Sequence, residues 1–182
     1  MNDHIDHPVS EPLARYDPDI HHRRSIRLNA YNYATDGAYF VTICTQGREQ
    51  MFGAVLDDAV ELSDAGQMIR AVWHELPHHL SGVACDEHVV MPNHFHGIIV
   101  LIGSPSHTAT LFDVVARLKS LTTNRYRRGV LQRHWHPFQG RLWQRNYYER
   151  IIRDEEELNR VRQYIIDNPA RWSDDEYHLP SP

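Results

Sequence analysis

The sequence has few of the features that mark a secreted or membrane-embedded protein. Its 182 residues include two cysteines, Cys44 and Cys85, which form no CxxC pattern. No uninterrupted apolar run approaches the roughly 20 residues of a membrane helix, and the first residues lack the apolar core of a signal peptide. These absences argue against a disulfide scaffold and a membrane partner, and they predict a reduced, cytoplasmic setting.

Lysine is almost absent, and the charge is unevenly distributed. Lys119 is the only lysine, so every other fixed cation is an arginine, and the formal net charge is −5. That sign argues against a nucleic-acid partner, but residues 117–153 hold ten basic side chains and a single acid, Glu149. Arginine suits bidentate phosphate binding and stacking on bases. The stretch therefore favours either a nucleic-acid surface or an ordinary solvated basic surface.

Hydrophobic periodicity predicts an α+β fold. Strands are expected at 38–46, 83–91, 94–102 and 142–152, a small hairpin at 54–63, and helices at 63–77, 111–129 and 154–169. The order strand, helix, strand, strand, helix, strand is that of the ferredoxin-like βαββαβ arrangement, an antiparallel sheet with helices on one face. An additional C-terminal helix follows, and it carries a tyrosine.

Composition divides the chain into three parts. Residues 1–24 are rich in Pro, Asp and His without any period, which is typical of a poorly ordered tail. Residues 25–172 are expected to form one domain, and residues 173–182 an acidic C-terminal tail.

Two histidines interrupt an apolar run in "VVMPNHFHGIIV", residues 89–100. In a strand His94 and His96 would lie on one face, with Phe95 on the other. The pair could coordinate a metal ion, or the two histidines could be ordinary polar residues on a half-solvated sheet face. A second pair, His134 and His136, has the same spacing but lies in an Arg/Gly/Pro-rich loop, where nothing places both rings on one face.

The last helix supplies a second candidate group. Tyr164 and Asn168 are four residues apart and therefore project from the same helical face. Two neutral imidazoles and one side-chain oxygen could bind a metal and leave positions for a phosphate oxygen, if this helix meets the histidine strand. Tyr147 and Tyr148 are competing tyrosines, but adjacent strand residues face opposite ways, so stacking or packing is the alternative for both.

Several segments together resemble one protein family. The stretches "GAYFVTICTQGREQMFG", "VVMPNHFHGIIV", "LKSLTTNRYRR" and "LWQRNYYERIIRDEEELNRVRQYIIDNPARW" are similar to the REP-associated tyrosine transposases, relatives of the HUH single-strand transposases. The resemblance runs from about Arg23 to Trp172. It implies that His94, His96 and Asn168 bind a divalent ion, Mg²⁺ or Mn²⁺, and that Tyr164 is the nucleophile. The activity it implies is cleavage and rejoining of single-stranded DNA through a 5′-phosphotyrosine intermediate.

The resemblance also implies a DNA partner with hairpin structure at repetitive palindromic elements. The candidate DNA-binding residues are Lys119, Arg125, Tyr126, Arg127, Arg128 and Arg145. Relatives include monomers and homodimers that exchange their tyrosine helices, so both states are open. Two other functions compete with the transposase: a non-catalytic, domesticated DNA-binding regulator of palindromic repeats, and a small metallohydrolase unrelated to nucleic acid.

Overall fold

The computed structural model describes residues 37–103 and 109–178, so the predicted tail at 1–24 lies outside the described residues. The elements in chain order are β1 Gly37–Cys44, β2 Gly53–Leu56, β3 Ala59–Leu62, α1 Asp64–His79, β4 Val83–Val90, β5 His94–Leu101, α2 Leu111–Arg133, β6 Tyr148–Ile152 and α3 Glu155–Asp167, followed by a 3₁₀ helix at Pro169–Asp174. Within those two ranges, no helix combines the length and hydrophobicity that crossing a bilayer requires.

The main sheet has four strands in the order β4-β5-β1-β6, and all neighbouring strands are antiparallel. This order and the alternation of strands with α1 and α2 confirm the predicted ferredoxin-like fold. Strands β2 and β3 form the separate hairpin that the sequence predicts. Its turn residues, Asp57 and Asp58, both have positive φ, as the tight turn of a two-residue hairpin requires.

The two faces of the sheet are covered by different helices. Buried residues of α1 and α2 pack with Tyr39, Val41 and Ile43 of β1 on one face. On the other face, Val161 and Ile165 of α3 pack against alternate strand residues. The predicted additional C-terminal helix is therefore present, and it covers the face opposite to α1 and α2. Side chains that alternate along β1 and β5 enter two separate apolar clusters.

Helix α2 continues one turn beyond the predicted end at Gly129. This glycine is buried in the helix because the Trp135 ring packs directly on it, and a β-carbon there would overlap the ring. The helix ends at Arg133, and the residue that caps it, His134, adopts a left-handed conformation with φ 58°. Strand β6 in turn begins only at Tyr148 rather than at 142. Trp143 is held in the core, where its indole N–H donates to the Thr122 hydroxyl at 2.8 Å, and the Lys119 ammonium binds the backbone carbonyls of residues 144–146.

We predict that Gly129→Ala destabilises the protein, although alanine is the better helix former by about 1 kcal/mol. The new β-carbon would overlap the Trp135 ring, and overpacking of this kind costs about 1–3 kcal/mol. Denaturant unfolding of the variant should give a lower free energy of unfolding than wild type. Ser120→Ala, at an exposed position of the same helix, is the control and should change it by less than about 0.5 kcal/mol.

We also predict that His88 makes stability sensitive to mild acid. Burial lowers the pKa of His88 to about 4, and nearby His74 and Arg70 add to the effect. Between about pH 6.5 and 4, His88 binds a proton in the unfolded chain but stays neutral in the folded chain. The free energy of unfolding therefore falls as the pH falls through this window. In His88→Phe the slope of the free energy of unfolding against pH should decrease in this window, by an amount equivalent to at most one bound proton. An unchanged slope would contradict the burial of a neutral imidazole.

Candidate metal centre and tyrosine site

Strand β5 places His94 and His96 on one face, as the alternation predicts. They lie opposite Cys44 and Thr42 of the neighbouring β1. Both side chains are buried, at 0% and 1% exposure. Their Nε2 atoms face each other at 3.0 Å. The pair is therefore not part of a solvated sheet surface.

The outer nitrogens of both rings have hydrogen-bond partners that orient them. His94 Nδ1 lies 2.9 Å from Asn93 Oδ1, and His96 Nδ1 lies 2.8 Å from Thr42 Oγ1. The Asn93 amide nitrogen donates to the carbonyls of Arg48 at 3.1 Å and Tyr177 at 2.8 Å, so its oxygen must face His94. His94 Nδ1 therefore carries the proton, and in the neutral ring Nε2 presents a lone pair inward.

Both imidazoles are held in the neutral form. Burial lowers the pKa of His94 to about 3. Burial, reinforced by the neighbouring His94, also holds the pKa of His96 well below its ordinary value. Neutral imidazole is the form that binds metal ions, so at neutral pH a cation could bind here without first displacing a proton from either ring.

Helix α3 brings Tyr164 and Asn168 to this pair. The Tyr164 ring lies 5.5 Å from the His96 ring and 5.8 Å from the Phe40 ring, measured between centroids. Asn168 is buried at the end of the helix, and among the described residues its Oδ1 has no hydrogen-bond partner. A buried amide oxygen without a partner is costly. The Asn168 side chain acts on the pKa of His94, and a position beside that buried imidazole suits a metal ligand.

A further polar side chain at the site, Asp175, was not predicted. It follows the 3₁₀ helix, in the segment that composition assigns to an acidic tail. Its side chain is only 4% exposed, and Oδ2 lies 3.9 Å from His94 Nε2 and 3.4 Å from Asn168 Nδ2. One ligand atom from each of His94, His96 and Asp175 can be chosen within 4.8 Å of the others. The sequence carries only a weak signal for this, namely the short distance along the chain from Asn168.

Tyr164 opens onto a cleft of about 460 Å³ that also reaches His96. The cleft is lined by Tyr148 and Arg150 of β6 and by Arg160 of α3. The C-terminal segment contributes Glu176 and Tyr177. The tyrosine is 38% exposed. Burial raises the pKa of its hydroxyl, and the charges of Asp175 and Glu176 raise it further. The hydroxyl is therefore protonated at neutral pH, and the side chain is accessible from the cleft.

The predicted DNA-binding residues have different environments. Arg127, Arg128 and Arg145 are exposed. Arg125 forms a two-point ion pair with Glu75 of α1, at 2.9 and 2.5 Å. Lys119 donates to the backbone carbonyls of three consecutive residues, Gln144, Arg145 and Asn146, which holds that loop against α2.

Tyr126 does not lie on the predicted DNA-binding surface. The side chain is 1% exposed and its ring packs edge-on to Trp135 and Phe138. The hydroxyl donates to the carbonyl of His136 at 2.9 Å. Because the ring is buried, neither of its faces can stack on a base. A tyrosine can be buried in this way when its hydroxyl finds a hydrogen-bond partner.

A basic groove lies where the end of α2 meets the loop before β6. Its volume is about 340 Å³, and Lys119, Arg127, Arg141 and Arg145 contribute to its walls. The remaining lining residues include Ser120, Thr123 and Asn124 but no acid. The groove therefore combines positive charge with neutral hydrogen-bonding groups, which is a composition suited to a phosphate backbone.

Comparisons with known proteins agree with the fold and the motifs. A protein of Haemophilus influenzae described as uncharacterized is 36% identical over 183 residues, which cover 91% of this chain and 98% of that protein. The solved structure of a REP-associated tyrosine transposase bound to a REP hairpin superposes with a TM-score of 0.57 at 19% identity, over 80% of this chain and 74% of that one. The model of the family described as "Transposase IS200 like" matches residues 34–168. The chain therefore belongs to the IS200-like transposase family.

Proposed function

We propose that this transposase cuts and rejoins single-stranded DNA through a covalent bond between Tyr164 and a 5′-phosphate. Its activity would be that of a strand transferase and endonuclease in DNA transposition and recombination. The observation that carries the proposal is the position of α3, which brings the partly exposed Tyr164 side chain into a cleft shared with His96. The histidine strand and the tyrosine helix are far apart in sequence, and their meeting is what a composite site requires.

The donor set fits a divalent ion held by His94, His96 and Asn168. Adjacent ligands at about 2.1 Å from an octahedral metal lie about 3.0 Å apart, and the two Nε2 atoms are 3.0 Å apart. The partnerless Asn168 oxygen supplies a hard donor of the kind that Mg²⁺ and Mn²⁺ prefer. When bound, such an ion polarises the scissile phosphate and stabilises the charge of the transition state.

The protein's own residues perform the covalent step. The Tyr164 oxygen bonds to phosphorus while the bond from phosphorus to the 3′ oxygen breaks. In the net step the proton of the Tyr164 hydroxyl passes to the leaving 3′ oxygen, which is released as a 3′-hydroxyl. The phosphotyrosine conserves the energy of the broken bond, so another 3′-hydroxyl can attack it and no nucleotide cofactor is needed. Arg150 and Arg160 line the same cleft. They pair with Glu157 and Glu156, and on exchanging these carboxylates for DNA they can bind the phosphates on either side of the scissile one.

The basic groove supports a hairpin-forming DNA as the partner. The related structure is bound to a REP hairpin, and here the groove of Lys119, Arg127, Arg141 and Arg145 offers clustered cations despite the negative net charge. We place the duplex stem of a palindromic repeat at this groove and the single strand to be cut in the tyrosine cleft.

We predict that Tyr164→Phe abolishes covalent attachment to DNA, because the phenol oxygen is the attacking atom. Wild-type protein incubated with Mn²⁺ and a single-stranded hairpin oligonucleotide should give a covalent adduct on a denaturing gel, and a chelator should remove it. Tyr148→Phe is the matched control, since that tyrosine lines the same cleft and should retain the adduct.

The same gel separates the competing functions. An adduct that survives in Tyr164→Phe but not in Tyr148→Phe would place the nucleophile on β6. Hairpin binding without any adduct across a broad set of oligonucleotides would leave a DNA-binding regulator. That alternative has one observation in its favour, because burial and the charges of Asp175 and Glu176 raise the pKa of Tyr164.

We predict that Arg127→Ala and Arg145→Ala weaken hairpin binding similarly for all sequences. Each change should reduce the slope of log affinity against log salt by about 0.7–0.9 for every phosphate that the variant no longer neutralises. Fluorescence anisotropy at several salt concentrations measures both effects. Arg70→Ala removes an equal charge from an exposed position of α1 and should leave the slope unchanged.

A further inference from the structure

We infer that Asp175 is a further ligand of the divalent ion, a carboxylate added to His94, His96 and Asn168. The inference rests on the proposed function, because it assumes that the histidine pair holds an ion. It assigns a role in the active site to the segment that follows the tyrosine helix. Nothing in the sequence motifs of β5 or α3 includes this residue.

The two oxygens of Asp175 have different surroundings. Oδ1 accepts the backbone N–H of Tyr177 at 2.6 Å, so it is used within its own turn. Oδ2 points to the site, 3.9 Å from His94 Nε2 and 3.4 Å from the Asn168 amide nitrogen. The Asn168 hydrogen bond is long and leaves a lone pair of Oδ2 available. This oxygen is therefore positioned as a donor on the same side as the imidazole nitrogens.

The turn that carries Asp175 is anchored by residues of the site itself. The Tyr177 carbonyl accepts from the Asn93 amide at 2.8 Å, and the same amide orients His94 through its oxygen. The Glu176 carbonyl accepts from the Arg48 guanidinium at 2.7 Å. The Tyr177 ring also lies 4.9 Å from the His94 ring. One asparagine thus sets the position of a histidine and of the neighbouring carboxylate together.

Charge gives the physical reason for an ion at this point. The Asp175 side chain is 4% exposed, and no lysine or arginine in the described ranges lies within 4.0 Å of its carboxylate. A buried carboxylate without a compensating cation is strongly destabilising. A divalent ion between Oδ2 and the two imidazoles would supply that charge, and the added oxygen ligand would favour Mn²⁺ or Mg²⁺ over softer metals.

Metal titration of the 182-residue chain tests the assignment. Isothermal titration with Mn²⁺ alone, without DNA, should show that Asp175→Asn weakens binding by about tenfold or more. Asparagine keeps an oxygen for the Tyr177 N–H, so the turn is retained. Asp174→Asn is the matched control, since it removes an equal charge from the preceding residue, which is exposed, and it should bind Mn²⁺ as wild type does. With Co²⁺ as the probe, the visible absorption spectrum should change in Asp175→Asn but not in Asp174→Asn.

Each result decides between defined outcomes. Wild-type Mn²⁺ affinity and an unchanged Co²⁺ spectrum in Asp175→Asn would overturn the inference while the proposed function stands. Equal weakening in Asp174→Asn would reduce the effect to general electrostatics and also overturn it. Failure of the wild-type protein to bind Mn²⁺ would remove the metal site of the proposed function as well. Equal thermal midpoints without metal establish that the variants are folded.

Discussion

The site depends on the way that β5 runs through a sheet covered on both sides. Because successive side chains of a strand point to opposite faces, Phe95 and Ile99 enter the cluster under α1 and α2, while His94 and His96 face the side that α3 covers. A slip of one residue in the pairing with β1 would exchange these two sets. It would place two imidazoles in the larger apolar cluster. Core packing and site geometry therefore impose the same register.

Burial then determines what the two histidines can do. A solvated imidazole titrates near neutral pH, but these rings are desolvated and neutral. Thr42 and Asn93 form hydrogen bonds with the Nδ1 atoms of His96 and His94. The two Nε2 atoms therefore face each other. The partners that orient a metal-binding histidine are part of the site as much as the ligands are. Here they come from β1 and from the turn before β5.

Much of the fold and half of the site follow from local patterns. Alternation predicts that His94 and His96 share a face, and a four-residue spacing predicts that Tyr164 and Asn168 do. Thr42 and Asp175 could not be found in this way, because a threonine in a strand and an acid near a chain end are common without any function. Tyr126 was misplaced for a related reason. Its arginine neighbours indicate a surface, but its own helical position faces the core.

The sequence by itself determined the elements, their order and the chemical groups on each face, because these depend on residues within a few positions of one another. Only the tertiary structure decided which groups meet. The packing of Val161 and Ile165 against the sheet brings the tyrosine helix onto the histidine face, and the anchored turn at residues 175–177 brings a carboxylate there. Such contacts depend on how apolar surfaces from distant segments exclude water together, and no local pattern encodes that.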